Sequence, residues 1–145
     1  MQRRAVLRWT VGLTGVGLTG CLGSVSDGGE SYGDFFADVD NYDGEIDRTN
    51  TDRPVVRVGT KANGGYFGFD PPAIVVTPET TVVWEWTGKG GRHNVVARSE
   101  AFSSKFATET GFTYERSISA TGVYPYYCKP HRSVGMKGGV RVETA

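Results

Sequence analysis

Cys128, His131 and Met136 fall within nine consecutive residues of the stretch YYCKPHRSVGM. A thiol, an imidazole and a thioether so spaced can act together in one chemistry, the ligation of a metal that accepts soft donors. The 145-residue chain has only two Cys, two His and two Met. Met1 is the initiator and Cys21 lies in a processing-site pattern, so one thiol, two imidazoles and one thioether remain for the folded protein. The second imidazole is His93, which opens the run HNVVA. Two His, one Cys and a weak axial Met are the donor set of a blue-copper electron-transfer site. Taken singly, each has an ordinary reading. A Cys ending a strand is usually a small buried hydrophobe, a lone exposed His usually does nothing, and a Met usually fills a core. The joint fit of all four to one coordination shell argues for the metal.

Two other chemistries use some of these residues. Structural zinc takes Cys and His without a thioether, commonly in paired C-x-x-C knuckles, and no such pair occurs. A Cys–His nucleophile would need an orienting third group. No third His exists and no Asp or Asn is evidently placed for that role, although Asn94 leaves it open.

The elements that must bring His93 to the Cys128–Met136 loop read as strands. PVVRVG (54–59), AIVVT (73–77), TTVVWEW (80–86), HNVVA (93–97), FTYERSI (112–118), VYPYYC (123–128) and GVRVET (139–144) are short and rich in β-branched and aromatic residues. Val82, Trp84 and Trp86 share a parity and therefore a face, as do Phe112, Tyr114 and Ile118. ANGG, GKGG, ATG and MKGG separate the runs. The pattern predicts an all-β, Greek-key antiparallel β-sandwich of seven or eight strands over 53–145. Pro125 inside a strand predicts an N–H side that faces out of the ladder, or a bulge. Residues 99–106 are expected to form a loop or short helix. No run of 18 apolar residues follows the N-terminus, so no membrane-spanning helix is expected. The two Cys are assigned to different chemistry, so no disulfide is expected.

Residues 1–20 read as an export signal. Arg3-Arg4 matches a twin-arginine pattern, and the apolar run after it is too short to span a bilayer. The sequence LTGC (Leu18–Cys21) resembles a lipobox, which makes Cys21 a lipid-attachment site. Residues 21–33 read as a flexible acidic tether. Residues 34–52 are an acidic N-terminal extension, expected to be partly ordered, with Phe35, Phe36, Val39 and Tyr42 at helical spacing. The chain's 16 bases and 16 acids balance. Loss of Arg3, Arg4 and Arg8 with the signal would leave 13 bases against 16 acids, a net of −3. The acids concentrate in 27–52 and the bases in 53–145. Nothing in this balance calls for nucleic acid.

YYCKPHRSVGMKGGVRV, GGRHNVVA and FGFDPPAIVVTPETTVVWEW together resemble the plastocyanin-like cupredoxins, and among them the halocyanins, membrane-attached blue-copper proteins of salt-loving archaea. The likeness runs from about Tyr42 to the C-terminus. It implies one copper ion, Cu(I)/Cu(II), held by His93, Cys128, His131 and Met136. It also implies a supporting Asn94, whose backbone N–H donates to the Cys128 sulfur and whose side chain ties two ligand loops. Arg92 and Lys129 depart from the plastocyanin pattern. The implied function is that of a membrane-anchored electron carrier and not an enzyme, with a surface copper-binding or chaperone module as the alternative. Its expected partners are membrane redox proteins, and it is expected to act as a monomer on the extracellular face of the membrane. The expected docking surface is an apolar ring of Phe67, Pro71, Val134 and Gly135 around His131, with Lys129, Arg132 and Lys137 as a basic rim beside Lys89 and Arg92.

Overall fold

The structure is a computed structural model that describes residues 32–144. The chain divides into two units, 1–33 and 34–145, and the second contains all the strands of the described residues. The expected signal at 1–20, the expected lipid site at Cys21 and the expected tether up to residue 31 lie outside the described residues.

Among the described residues nine strands build two sheets. They are β1 (Ile46–Asp47), β2 (Val55–Ala62), β3 (Gly65–Asp70), β4 (Ala73–Val76), β5 (Thr81–Trp86), β6 (Val96–Ala97), β7 (Thr113–Ser117), β8 (Gly122–Tyr127) and β9 (Lys137–Val142). One sheet runs β1-β4-β9-β8-β6 and the other β3-β2-β5-β7. The expected sandwich is present, but it has nine strands instead of seven or eight and both sheets are mixed. β1/β4, β4/β9 and β2/β5 pair in parallel. Alternation within a strand fixes which face is buried but says nothing of a partner's direction, which is set by the long connections between strands.

The face predicted for β5 is the buried one. Val82, Trp84 and Trp86 point inward and are at most 1% exposed. They meet Val56, Val58 and Phe69 from the same sheet and Tyr126, Val140 and Val142 from the other. Trp84 meets Tyr126 edge-on at 5.4 Å, and Phe69 does so at 4.8 Å. Pro125 costs the β8–β9 ladder nothing. Its carbonyl accepts the Arg98 N–H at 2.8 Å, just past the end of two-residue β6, so its missing N–H faces that side.

β3 is a strand that the sequence pattern does not predict. Asn63 and Gly64 form the two-residue turn that joins it to β2, with φ of +59° and +88°. Asn-Gly in that conformation is a type I′ hairpin turn, whose twist matches the flanking strands. Residues 99–106 form a loop, with Phe102 buried and Val96 bridged to Ser103.

The acidic extension is ordered from residue 34, as successive turns instead of a helix. The N–H groups of Ala37, Val39 and Tyr42 each donate three residues back. Phe35, Phe36 and Val39 are buried, and Tyr42 stacks on Phe36 at 4.0 Å. Further on, Glu45 takes a two-pronged contact from Arg141 of β9 at 2.9 to 3.0 Å. That planar fork ties the extension to the sheet's central strand more firmly than a single surface ion pair would. Among the described residues no helix is long and apolar enough to cross a membrane.

Candidate metal centre

Cys128 follows the last residue of β8, and Met136 precedes the first of β9. The pairing of Tyr127 with Lys137 therefore closes the loop between them. Two backbone bonds tighten it further: Cys128 N–H donates to the Met136 carbonyl at 3.0 Å, and Met136 N–H to the His131 carbonyl at 3.2 Å. Pro130 sits in the first turn of the 3₁₀ segment Lys129–Val134, which breaks at His131 and ends at Gly135. Gly135 has φ +103°, a left-handed conformation that a side chain would resist.

His93 reaches this loop from the segment just before β6, where it is bridged to Ala107. Its backbone exchanges two hydrogen bonds with Ala107, both at 3.0 Å. The Trp86 indole donates to its carbonyl at 3.3 Å. The ring is fully buried, and its Nε2 lies 2.7 Å from the Lys89 carbonyl. A carbonyl only accepts, so Nε2 carries the proton and the Nδ1 lone pair is free to ligate. Nδ1 faces the Cys128 sulfur at 3.6 Å, and His131 Nδ1 faces it at 3.5 Å. The three donor atoms lie within 4.8 Å of one another. Two metal–ligand bonds of about 2.0–2.3 Å at trigonal angles span roughly 3.5–3.8 Å, which the two sulfur–nitrogen separations match. Met136 is fully buried in the same core cluster as Cys128 and adds a thioether. One thiolate, two imidazoles and a thioether form a type 1 copper donor set.

Burial pushes the Cys128 thiol up, partly offset by the Asn94 and His131 backbone N–H groups that point at the sulfur. Burial pulls both imidazoles down; for His93 the Lys89 carbonyl opposes this and His131 adds to it. At neutral pH the metal-free protein therefore holds a protonated thiol and two neutral imidazoles. To hold copper(II) through its sulfur, Cys128 would have to give up the thiol proton. We expect about one proton released per copper bound at pH 7, and affinity that rises with pH from acid to neutral. An indicator dye in weak buffer reads this directly, and copper uptake with no proton release would exclude the thiolate as ligand.

Asn94 ties the ligand loops, as the resemblance implied, but through a backbone partner. Its Oδ1 accepts the backbone N–H of Lys129 at 2.8 Å, so the tie needs no side chain at 129. Phe67 stacks on His131 with centroids 4.4 Å apart, and Val134 beside it is 46% exposed. Lys129 and Arg132 are exposed, with Arg132 seated over the Tyr127 ring at 4.2 Å. Lys89 lies over Tyr66, and Arg92 over Phe106.

Three expected docking residues fall elsewhere. Gly135 is buried, because the Asp38 carbonyl and the Asn63 side chain cover it. Lys137 pairs with Asp38 at 2.7 Å, which holds that carboxyl below the usual range. Pro71 lines a cleft of about 310 Å³ with Asn41, Ile46 and Arg48. Sequence reasoning also missed Asn63 and the Lys89 carbonyl. The Asn-Gly pair was a usable signal for the first, and a backbone acceptor leaves none.

The sequence pattern of the family of copper binding proteins described as the plastocyanin/azurin family matches residues 56–143. A halocyanin from Natronomonas pharaonis is 51% identical over 106 residues, covering 70% of this chain and 64% of that protein. The chain thus spans just under two thirds of that relative. A plastocyanin from Scenedesmus fuscus is 31% identical over 98 residues, covering 61% of this chain and 99% of its own. Among solved structures, a mutant plastocyanin of fern superposes with a TM-score of 0.52 at 28% identity, covering 61% of this chain and 99% of that one.

Proposed function

We propose, from the premise that this chain belongs to the plastocyanin/azurin family of copper-binding proteins, that it carries single electrons between redox proteins at a membrane surface. The observation that carries this reading is the donor set itself: His93 from the segment before β6 converges with Cys128 and His131 of the β8–β9 loop, and Met136 closes that loop. Bound there, copper would supply one-electron exchange between Cu(I) and Cu(II). The chain's own part is to hold the ligands still. His93 is locked by Ala107, Trp86 and Lys89. His131 is steadied by Phe67. Ligands fixed by packing and hydrogen bonds need not rearrange when the charge changes, which lowers the barrier to transfer. Four protein ligands leave no evident position for a substrate, which favours a carrier over an enzyme.

His131 is the exit. It is half-buried and flanked by exposed Val134 and by Phe67. Around it Lys89, Arg92, Lys129 and Arg132 form a basic rim, three of them laid over aromatic rings. Lys137 drops out, because Asp38 neutralises it. Such a rim suits an acidic redox partner and speeds encounter at low salt. At about 1 M salt the Debye length is only about 3 Å, so steering fades there. Arg132→Glu with Lys129→Glu should slow electron transfer to an acidic partner in dilute buffer and do little at molar salt. Val134→Ala should slow it at both. Stopped-flow kinetics at matched driving force measures this. A charge-reversal effect undiminished at molar salt would contradict apolar docking.

Anchoring through a lipidated Cys21 after twin-arginine export would put the carrier on the extracellular face, and the motifs at 1–21 alone support this. A diacylated anchor supplies two chains, enough for stable attachment. Cys21→Ala should leave the protein uncleaved or release it from the membrane fraction; equal retention of a cleaved mutant would refute the lipoprotein reading.

A further inference from the structure

We propose that the carboxamide of Asn63 is the positioning group for the axial ligand: together with residues 35–40 it clamps the peptide in front of Met136 and so sets how closely the thioether approaches the metal. The proposal rests on the reading of the site as a copper centre.

Asn63 occupies the first position of the β2–β3 turn, and its side chain reaches three separate segments. Nδ2 donates to the Phe67 carbonyl at 2.8 Å and to the Gly135 carbonyl at 3.0 Å. Oδ1 accepts the Asp40 backbone N–H at 2.9 Å. The Asn63 backbone N–H returns a bond to the Asp40 carboxylate at 3.0 Å. Both amide hydrogens are therefore in use. An Asp here would set its carboxylate against two carbonyls.

The Gly135 carbonyl belongs to the same peptide unit as the Met136 N–H. Asn63 holds one edge of that unit and the His131 carbonyl the other. On the far side of Met136, Lys137 is pinned to Asp38 at 2.7 Å and to the Phe35 carbonyl at 3.4 Å. The axial ligand thus sits between two residues that are both tied to the N-terminal segment. The Asp38 carbonyl packs so closely over Gly135 that a side chain there would collide with it. An axial thioether bond is long and weak, so it does little to place its own ligand, and the surrounding hydrogen bonds must. The same carboxamide fixes the backbone of Phe67, whose ring covers His131. One side chain therefore connects the acidic extension to the axial ligand and to the exit histidine.

The test uses the full-length chain. Asn63→Gly keeps the turn, since a left-handed φ suits glycine, and removes the carboxamide. In the metal-free protein the Met136 amide should then exchange with solvent about tenfold faster, the loss expected for one hydrogen bond. The Val140 and Tyr126 amides should be unchanged. In the copper-loaded protein the reduction potential should rise, because a thioether free to retreat donates less to Cu(II), and the Cu(II) paramagnetic resonance spectrum should change with it. Asp40→Ala, which leaves Asn63 in place, should shift all three readouts in the same direction by less. A merely structural role would speed exchange throughout the sheet and leave the potential alone, and that result overturns the proposal. So does faster Met136 exchange with an unmoved potential, or no change in either variant. If the wild-type protein fails to form a coloured copper complex, the copper reading fails, while exchange in the metal-free protein still judges the clamp.

Discussion

Replacing Cys128 with Ser is expected to remove the intense visible absorption predicted for the copper-loaded protein while leaving the sandwich folded. The absorption requires charge transfer from a thiolate, and Cys128, the one thiol among the described residues, lies within reach of both imidazoles, at 3.6 and 3.5 Å. A serine hydroxyl in its place stays protonated and donates weakly. Copper that still binds through His93 and His131 gives a pale complex. The fold survives on magnitudes. Burying a hydroxyl costs about 1–3 kcal/mol, less here because the Asn94 and His131 N–H groups already point at the position. A domain of this size has about 5–15 kcal/mol to lose. Circular dichroism alongside the visible spectrum separates loss of the ligand from loss of the fold. An intense band in Cys128→Ser would assign the chromophore elsewhere.

Trp84→Ala is expected to cost about 3–5 kcal/mol, the range for deleting a large aromatic from a packed core. Trp84 is fully buried at the centre of β5 and touches rings from both sheets and the intervening loop. Tyr126 lies edge-on at 5.4 Å, Phe102 at 5.4 Å and Tyr114 at 5.7 Å. The rings around it are held by the strands they sit on, so the cavity cannot close. The cost is a large part of the whole stability, and the variant should be partly unfolded under mild denaturant. Val55→Ala, at an exposed position on β2, should shift the midpoint hardly at all. An unfolding free energy for Trp84→Ala within about 1 kcal/mol of wild type would mean the core is not organised around this residue.

The ligands were legible because their types are rare. With two His and one available Cys, chemistry left little choice. Strand faces were legible too, since alternation at Val82, Trp84 and Trp86 is a local signal. β3 was not, because GYFGFD carries two glycines and the Asn-Gly turn before it passed for a plain break. Parallel pairing of β2 with β5 and of β4 with β9 was beyond local reading, since it depends on how connections cross between the sheets. The misplacing of Gly135 and Lys137 has the same origin. Gly135 looks like part of the apolar ring and Lys137 like part of the basic rim until the acidic extension folds over them, and the Lys137–Asp38 contact joins residues 99 apart in sequence. The acidity of 34–52, which reads as a reason for disorder, is partly what docks it: Asp38 meets Lys137, Asp40 meets Asn63 and Glu45 meets Arg141. Composition sees charge but not the partner that answers it.

If these four side chains hold copper for reversible one-electron transfer, the most direct test is a spectroelectrochemical titration of the copper-loaded wild-type protein in the presence of a Cu(I) chelator. We predict an intense visible band that bleaches with one electron per copper and returns fully through repeated cycles, with no copper passing to the chelator. A band that fails to return because Cu(I) has left, or no intense band at all, would contradict electron carriage and favour a copper-delivering module instead.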